Sequence, residues 1–530
     1  MKHLAGRSVL ILGLGASGLA MARWCVRNGA RVQVWDSRDQ PPMQPALASD
    51  CPGVALLSGP IDPACLMDVH LVLKSPGLSP ADPQVAPLLQ AAQADRIAVA
   101  GELGLFARAL ADLKESRGYA PQVLAITGTN GKTTTTALTG LLVERCGRRV
   151  AVAGNIGPTL LDTLTQALDT ADSSEEGTLP EVWVLELSSF QLDGVDGFEP
   201  TAAAVLNITQ DHLDWHGDMA HYVQAKSRIF GPAPRTLEDG SVALSSTIMV
   251  INRDDEAVRA MEPAPIPVKG TRGRAGKPLA RRSVRFGMDA PSRPGDFGLI
   301  VEGGMAWLVR AHPQDEDDSR GSRASAEEDL HIQRLMPADA LRIRGRHNAA
   351  NALAALALAS AIGCPLATML HGLREYTGEP HRVSFVLRAA DIDVYDDSKG
   401  TNVGATVAAI KGLGQDMEPG RLVLLLGGDG KGQDFSPLRD PVARHARAIA
   451  VYGRDAQQIA AALSGLEPPL EHHEDLVSAC RWAFAQAQSG DAVLLSPACA
   501  SLDQFRDYKH RAEVFVAQAQ AWAHDQGAMA

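Results

Sequence analysis

The 530-residue sequence has few cysteines and no long hydrophobic run. Its seven cysteines are scattered, odd in number and without a C-x-x-C pair, which argues against a disulfide framework or a zinc cluster. No apolar segment reaches the roughly 20 residues that a bilayer-spanning helix needs. The first residues run directly into a strand and a glycine pattern, without a signal-peptide cleavage pattern. These absences predict a reduced, cytoplasmic protein with no membrane span.

Positive charge is also in deficit, because 50 Lys and Arg residues stand against 62 Asp and Glu, a formal net charge of −12. The surface as a whole is therefore not one that binds nucleic acid, and an anionic ligand must be held by local donors. Hydrophobic residues make up 45% and charged residues 21%, an ordinary globular composition. At roughly 150 residues per domain, the length suggests three or four domains.

Apolar strands alternate with helical stretches along the chain, which predicts an α/β fold with parallel sheets. The first segment has strand, helix and strand patterns over SVLILGLG, SGLAMARWCVRNG and RVQVWD, and a second unit opens with VLAITGTNGKTTTT. A third unit follows GEPHR with the strands DIDVYD, RLVLLLGG, AIAVYG and DAVLLSP. We therefore predict three domains, at 1–100, 101–379 and 380–530.

The region between about 231 and 345 has a different composition, rich in Pro, Arg, Asp and Ser. It contains a basic stretch at 269–285 and an acidic, serine-rich stretch at 313–330, and a shorter acidic insertion lies near 171–181. We interpret the two stretches as surface insertions or loops. The basic one could contact nucleic acid, but a solvated loop is the favoured interpretation.

A glycine pattern follows the first strand. Residues 13–18, GLGASG, match G-x-G-x-x-G between a strand and a helix, and Asp36 ends the second strand. The glycines let the backbone approach a pyrophosphate at a helix N-terminus, and the acid can accept a hydrogen bond from a ribose or base. The pattern predicts a nucleotide site but does not select NAD, and a tight turn in a parallel sheet is the alternative.

The sharpest motif is GTNGKTT, which follows an apolar strand and opens a threonine-rich helix. Backbone N–H groups and Lys132 can hold the phosphates of ATP, while the Thr133 hydroxyl can bind Mg²⁺. Ile126 stands where the common P-loop has its first glycine, so this loop is shorter. The predicted ATP-binding residues of the loop are Gly128, Thr129, Asn130, Gly131, Lys132, Thr133 and Thr134.

Three polar side chains accompany the neighbouring strands. Glu186 ends the strand VWVLE and can complete a Mg²⁺ shell, because a buried carboxylate needs a cationic partner; an exposed strand-end glutamate is the alternative. His212 lies just past another apolar strand. Lys226 shares the apolar face of the next helix, so it should snorkel, pair or lose its charge. A neutral amine near Mg²⁺ could be carbamylated by CO₂ and become a metal ligand.

Polar residues of the last segment follow strand ends, where open α/β sheets bind ligands. Residues 397–402, 427–432 and 496–505 each follow a strand, and Arg382 stands at the start of the segment. Two lysines, an arginine and glycine-rich backbone at one edge suit a ligand with several carboxylate or phosphate groups. Cys499 has no nearby histidine in sequence, so a small packed residue is favoured over a nucleophile.

Asn351 lies in a helix of small residues, where asparagine has little propensity reason to be. A ligand contact and a satisfied core amide are both open.

Together these motifs resemble those of the Mur ligase family over nearly the whole chain outside the insertions. GTNGKTT, GNIG, ELSSFQL, ITQDHLDWHG with the lysine of QAKSRIF, HNAANALAALALA, GEPHR, DDSKGTN, LLLGGDGKGQDF and LLSPACASLDQF occur in family order. ELSSFQL, DDSKGTN, GGDGKGQDF and SPACASLDQF point to the member that adds D-glutamate. Gly400 replaces a common alanine and Tyr508 a common phenylalanine, and we expect neither to change the reaction.

The resemblance implies a Rossmann-like N-terminal domain for the UDP part of the substrate, a central P-loop ATPase domain, and a Rossmann-like C-terminal domain for the amino acid. It implies that ATP and Mg²⁺ convert the carboxylate of UDP-N-acetylmuramoyl-L-alanine to an acyl phosphate. D-Glutamate then attacks, giving an amide, ADP and phosphate in peptidoglycan precursor synthesis. We expect a monomer whose C-terminal domain closes about a hinge near 380.

By motif match, the resemblance also implies residue roles. Catalytic roles fall to Lys132, His212, Lys226 and Lys399, the last steadying developing charge. Two Mg²⁺ sites would be held by Thr133 with Glu186, and by His212 with a carbamylated Lys226. Further ATP contacts would come from Asn351, Arg382 and Asp397. The UDP-substrate would contact Gly13, Gly15, Ser17, Gly18, Asp36, Ser37, Ser75 and Asn155. D-Glutamate would contact Thr401, Lys431, Ser501, Leu502 and Tyr508.

Three other functions stay open at this point. Another amino-acid-adding ligase, including folylpolyglutamate synthase, differs in its amino-acid selectivity. An NAD-dependent oxidoreductase rests on residues 13–18 but leaves the P-loop and Glu186 unexplained. A non-catalytic nucleotide sensor would bind ATP without forming ADP.

Overall fold

The computed structural model describes residues 3–174, 177–236, 242–267, 278–313 and 330–527. Most of the acidic stretch 313–330, much of the basic stretch 269–285 and two residues of the insertion 171–181 lie outside the described residues. No helix in the described part of the chain is long and apolar enough to cross a membrane. All seven cysteines are free, and Cys499 is fully buried, which raises the pKa of its thiol and fits a packing role.

The N-terminal unit is a parallel sheet between helices. Its strands are β1 (Ser8–Leu12), β2 (Arg31–Asp36), β3 (Ala55–Ser58), β4 (Leu71–Lys74) and β5 (Ala98–Ala100). Its helices are α1 (Ala16–Arg27), α2 (Gln44–Asp50), α3 (Ala86–Ala94) and the connecting α4 (Glu102–Arg117). The order β3-β2-β1-β4-β5 places β1 at the centre, where both faces are covered and the strand is almost wholly apolar.

The central unit is built on a second parallel sheet. Its strands are β6 (Gln122–Thr127), β7 (Val150–Gly154), β8 (Val182–Glu186), β9 (Ala202–Val205), β12 (Ile248–Asn252) and β13 (Ser283–Phe286), in the order β13-β12-β9-β6-β8-β7. Its helices are α5 (Lys132–Arg145), α6 (Leu160–Ser173), α7 (Ser189–Leu192), α8 (Leu213–His216), α9 (Met219–Ser227), α10 (Glu256–Arg259), α11 (Arg346–Ala361) and α12 (Leu366–Glu375). The small residues of α11 let it pack closely against α5, the helix that follows the phosphate loop.

The region from about 231 to 345 contains several strands, and the interpretation of 269–285 as a loop was wrong at its end, which is strand. A short hairpin, β10 (Arg235–Thr236) with β11 (Val242–Ala243), precedes β12, and the end of the basic stretch is β13. A separate antiparallel sheet consists of β14 (Phe297–Glu302), β15 (Met305–Pro313) and β16 (Leu330–Pro337). Scattered apolar residues of these strands, including Phe286, Phe297 and Leu308, are buried in the central core. Because their sequence neighbours are charged, the average hydrophobicity of the region is too low to indicate strands.

The C-terminal unit is a six-stranded sheet. Its strands are β17 (Ser384–Ala389), β18 (Ile392–Asp396), β19 (Leu422–Gly427), β20 (Ala446–Tyr452), β21 (Leu470–His473) and β22 (Ala492–Leu495). Its helices are α13 (Val403–Asp416), α14 (Arg439–His445), α15 (Ala456–Ala462), α16 (Leu476–Gln486) and α17 (Tyr508–Asp525). In the order β17-β18-β22-β19-β20-β21 every pair is parallel except β17 with β18, so the loops after β18, β19 and β22 share one edge.

Candidate active site

The loop between β6 and α5 wraps around the side chain of Lys132. Gly131 caps α5 with a φ of 82°, which lets the chain turn sharply into the helix. The Lys132 Nζ donates to the carbonyls of Gly128 at 3.0 Å and Thr129 at 2.8 Å. Burial lowers the pKa of Lys132, while nearby Glu186 raises it. A cation at the centre of a helix N-terminus is an arrangement that can hold the phosphates of a nucleotide.

Glu186 lies beside this loop, at the carboxyl end of β8. It is only 3% exposed, which removes the alternative of an exposed strand-end glutamate. Asn155, just past β7, donates from Nδ2 to its Oε1 at 3.1 Å. Carboxylate, amide and hydroxyl oxygens are the ligands that Mg²⁺ prefers, and the loop supplies the Thr133 hydroxyl at the same edge of the sheet. These residues fit Mg²⁺, although no group of three or more His, Cys, Asp or Glu suited to a metal occurs in the described residues.

Lys226 is buried on the inner face of α9 and does not snorkel, since only 2% of it is exposed. Its Nζ donates to the carbonyl of Gly128 at 2.9 Å and to the Thr127 hydroxyl at 3.4 Å, and lies 4.7 Å from the ring centroid of Tyr222. Within the described part of the chain it forms no ion pair with a carboxylate. Burial, reinforced by the positive charge of Lys132, lowers the pKa of Lys226 well below its usual value.

His212 faces the same side of the loop from the start of α8. Its backbone has a φ of 54°, in the left-handed region that few non-glycine residues adopt. The ring packs 4.6 Å from the centroid of Phe190, and Nε2 lies 3.5 Å from Asp211. Burial lowers the pKa of His212, and so do the ammonium groups of Lys431, Lys132 and Lys226. A neutral imidazole is the form that ligates a metal.

The C-terminal unit contacts the phosphate loop directly. Arg382 donates from Nη2 to the Thr133 Oγ1 at 2.7 Å. Asn402, which caps α13, donates from Nδ2 to the Asn130 Oδ1 at 3.2 Å. These bonds bring the loops after β18, β19 and β22 to face the carboxyl edge of the central sheet.

Two titratable groups after β18 are strongly affected by this environment. Asp397 accepts from the Ser496 hydroxyl at 2.6 Å, and burial raises its pKa to about 7. The Lys399 Nζ lies 5.3 Å from the ring centroid of Tyr508, and burial together with Arg382 lowers its pKa to about 8. Lys399 therefore stays mainly protonated at neutral pH and can accept a nearby anion.

The predicted D-glutamate residues lie along the same edge. Thr401 follows β18, Lys431 follows β19 with a φ of 51°, the loop after β22 contains Ser501 and Leu502, and Tyr508 begins α17. A pair of backbone hydrogen bonds between Asp429 and Ala500, at 2.8 and 3.0 Å, joins two of these loops. Ser501 is buried, whereas the side chain of Leu502 is mostly exposed, so any contact from Leu502 would come from its backbone.

The N-terminal glycine loop is closely packed. A Cβ on Gly18 would lie 2.0 Å from the Gly13 carbonyl, so glycine is required there, and the Ser75 hydroxyl donates to that carbonyl at 2.7 Å. Gly15 caps α1, Ser17 lies in its first turn and Ser37 is exposed after β2.

Asp36, which the sequence predicts to contact the UDP part of the substrate, also has hydrogen-bond partners within the protein. Its carboxylate accepts from the Leu14 N–H at 2.7 Å and from the Arg38 backbone, Nε and Nη2 at 3.0, 2.8 and 2.8 Å. Burial raises the pKa of Asp36, but these bonds outweigh it and lower the value to about 2. Four donors occupy the usual acceptor positions of a carboxylate. Asp36 therefore holds the glycine loop in shape, and its contact with UDP stays a prediction.

Comparison with known proteins separates the possible functions. Three family models match the chain: the MurD-like N-terminal domain at residues 7–101, the Mur ligase middle domain at 126–277 and the Mur ligase glutamate ligase domain at 381–499. A UDP-N-acetylmuramoylalanine–D-glutamate ligase from Albidiferax ferrireducens is 57% identical, over 97% of this chain and 96% of that one. Its counterpart from Ralstonia nicotianae is 52% identical over 99% of both chains. The chain belongs to the Mur ligase family.

Within that family the chain is of the MurD type, as the D-glutamate ligases and the MurD-like N-terminal model indicate.

Two solved Mur ligases from Thermotoga maritima share the fold of this chain. MurC has a TM-score of 0.53 at 19% identity, over 97% of this chain and 99% of that one. MurF, solved with ADP, has a TM-score of 0.53 at 16% identity, over 98% of this chain and 97% of that one. The expected α/β architecture of three Mur ligase domains is therefore confirmed.

A cavity of about 510 Å³ lies beside this Mur ligase site, at the junction of the central and C-terminal units. Asn348, Arg382 and Tyr395 are among its lining residues. Asn351 sits one helical turn from Asn348 and donates to its Oδ1 at 3.1 Å. The cavity is thus linked to Asn351 through the hydrogen bond between the two amides.

Sequence reasoning missed several residues of this Mur ligase site. Asn402 was quoted within a motif but given no role, although an Asn immediately before a helix is an N-cap signal. Tyr222 lies on the apolar face of α9, and its hydroxyl is hydrogen-bonded to the Thr129 hydroxyl at 2.9 Å, which holds the phosphate loop. No sequence pattern indicates the hydrogen bond between Tyr222 and Thr129, because the two residues lie far apart in the chain. Lys74 was also given no role.

The contact between Gly131 and Asn351 predicts a sharp effect of a single methyl group. A Cβ on Gly131 would lie 2.4 Å from the Asn351 Oδ1, at a φ of 82°. We expect Gly131→Ala to raise the Kd for ATP about tenfold, because the methyl group displaces the amide that packs on the loop. Calorimetric titration with ATP measures this change.

Gly147→Ala is the matched control, because Gly147 lies just after α5 with a φ of 78° and no atom within 4 Å of an added Cβ. Both variants should lose about 1–2 kcal/mol of stability from the left-handed backbone, but only Gly131→Ala should lose ATP affinity. Equal ATP affinities in the two variants would contradict the prediction.

Proposed function

We propose that this chain joins D-glutamate to UDP-N-acetylmuramoyl-L-alanine, with ATP converted to ADP and phosphate. The observation that supports it most directly is the 52–57% identity to D-glutamate ligases over nearly the whole of both chains. The geometry agrees, because a phosphate loop faces cationic loops of the C-terminal unit across a direct contact. A carboxylate is a poor electrophile at neutral pH, so phosphorylation is needed to supply a leaving group.

In this proposal the phosphate loop presents ATP to the substrate carboxylate. The carboxylate oxygen attacks the γ-phosphorus, and ADP leaves. Lys132 would compensate the charge on the transferring phosphoryl group, and Asn155 would hold the acyl phosphate. Asn351, Arg382 and Asp397 would hold the nucleotide from the far side of the loop. The cavity that Arg382 lines is large enough for a nucleoside.

The amine of D-glutamate then attacks the acyl carbon, and phosphate leaves. Thr401 and Lys431 would bind its α-carboxylate, with Ser501, Leu502 and Tyr508 at its side-chain carboxylate. Lys399 would steady the negative charge that develops on the acyl oxygen. Contact between the C-terminal unit and the phosphate loop would exclude water that could hydrolyse the acyl phosphate.

The residues present suit two Mg²⁺ sites. Thr133 and Glu186 would hold one ion, and His212 with a carbamylated Lys226 would hold the other. When bound, Mg²⁺ supplies positive charge that polarises phosphoryl oxygens. The carbamate is supported by the burial of Lys226 without a carboxylate partner among the described residues, since an uncharged amine is the form that adds CO₂.

In the N-terminal unit, the UDP part of the substrate would be surrounded by Gly13, Gly15, Ser17, Gly18, Asp36, Ser37 and Ser75. The domain limits at 100 and 380, closure about 380, a monomeric state and a cytoplasmic location belong to the same proposal.

Phosphate release tests the function. With UDP-N-acetylmuramoyl-L-alanine and ATP, we expect release to require D-glutamate, and L-glutamate, L-alanine and a diamino acid to give none. Release with a different amino acid would identify another amino-acid-adding ligase. ATP binding without ADP formation would indicate a nucleotide sensor, and an absorbance change with a nicotinamide cofactor would indicate an oxidoreductase.

A further inference from the structure

Lys74 is a cation at the carboxyl edge of the N-terminal sheet. It is the last residue of β4 and pairs in register with Leu12, the last residue of β1. The next residues, Gly13 and Ser75, are joined by the hydrogen bond from the Ser75 hydroxyl. Lys74 therefore stands beside the start of the glycine loop, on the edge where a parallel sheet binds its ligand.

The side chain of Lys74 reaches toward the central unit. Its Nζ lies 5.0 Å from the ring centroid of Trp215 in α8 and donates to the Leu78 carbonyl at 2.7 Å. Trp215 packs in turn on Phe190, with 4.8 Å between the ring centroids, and Phe190 contacts His212. Lys74 thus lies between the glycine loop and the residues around the phosphate loop.

Among the described residues, this ammonium group has the Leu78 carbonyl as its one hydrogen-bond acceptor. An ammonium has three N–H donors, and the Leu78 carbonyl takes one of them. In the described residues Lys74 forms no ion pair with a carboxylate, and burial lowers its pKa to about 8, opposed by the charge of Asp193. It therefore remains mainly charged at neutral pH. Arg38, the cation that follows β2 at this edge, is already paired with Asp36.

We propose that Lys74 binds the diphosphate of the sugar-nucleotide substrate. The inference rests on the proposed function, in which a UDP-linked acid extends from the glycine loop to the phosphate loop. The backbone N–H groups of the glycine loop supply directional donors for the diphosphate, and Lys74 supplies the compensating charge. Trp215 and the Leu78 carbonyl hold the ammonium at the junction, so Lys74 is a binding residue and not a group that reacts.

Binding of UDP, measured by calorimetry without ATP or amino acid, tests the inference independently of turnover. We expect Lys74→Met to raise the Kd for UDP about tenfold and to weaken its dependence on salt, because the side-chain length is kept and the charge is removed. Lys74→Arg, which keeps the charge, should stay within about threefold of the wild type. Exposed Lys114→Met is the matched control and should bind UDP as the wild type does.

In steady-state turnover, Lys74→Met should raise KM for the UDP-substrate while KM for ATP and D-glutamate changes less than about twofold. An unchanged Kd for UDP would overturn the inference, and so would equal losses in Lys74→Met and Lys74→Arg. A wild-type chain that binds UDP but forms no product with D-glutamate would instead overturn the proposed function.

Discussion

Replacing Lys132 with alanine is expected to lower the rate of phosphate release by about a thousandfold or more. The Nζ lies at the centre of the phosphate loop, bonded to the Gly128 and Thr129 carbonyls, and alanine leaves no cation at that position. Stopped assays of phosphate release with all three substrates measure the loss. The KM for D-glutamate should change little, because Lys132 acts on the phosphoryl group.

Loss of folding would not explain this result. Burial lowers the pKa of Lys132, so the charged side chain is held at a cost in the folded protein. Lys132→Ala should therefore melt at or above the wild-type temperature. Lys411→Ala, which removes an exposed lysine from α13, should keep full activity. Undiminished turnover of Lys132→Ala would refute the proposed phosphoryl transfer at this loop.

Replacing Lys226 with alanine is expected to lower activity about a hundredfold or more, with partial restoration by short-chain carboxylic acids such as acetate. The wild-type side chain is buried, and its carbamate would present two oxygens at the Gly128 side of the loop. Truncation leaves space there, and a small carboxylate can occupy it and replace those oxygens. Turnover measured against acid concentration should rise and then saturate.

Lys132→Ala is the matched control for this rescue, because the two lysines lie at the same loop but only one is proposed to become an anion. Carboxylic acids should not restore Lys132→Ala. A second readout is carbon-13 NMR of the wild type with labelled bicarbonate, where a carbamate signal should appear and be missing in Lys226→Ala. Full activity of Lys226→Ala, or loss without rescue, would contradict the carbamate.

Much of the fold follows from local patterns. Short apolar runs ending in glycine-rich or polar loops predict the strands and the phosphate loop, because a buried parallel strand and the turn that follows it have requirements that neighbouring residues meet. The same reasoning predicted no strands in the region from about 231 to 345. Strands β13 and β14 bury only a few apolar residues each, and the charged residues around them leave no clear apolar run in the sequence.

Individual side chains were harder to predict than strands. Lys226 was left between snorkelling and burial, and the depth of α9 against the sheet decided for burial. The sequence predicts that Asp36 contacts the substrate, and it gives no sign that Leu14 and Arg38 donate hydrogen bonds to the same carboxylate. Both outcomes depend on neighbours that approach through packing.

The amino-acid sequence by itself determined the α/β class, the phosphate loop and the family, because these depend on residue order within short segments. Only the tertiary structure decided that Lys226 is buried without a carboxylate partner among the described residues. It alone also decided that Arg382 and Asn402 contact a loop more than 200 residues earlier, with separations of 249 and 272 residues. The physical reason is that desolvation and hydrogen bonding depend on distances in space, which are set when separate sheets pack against one another.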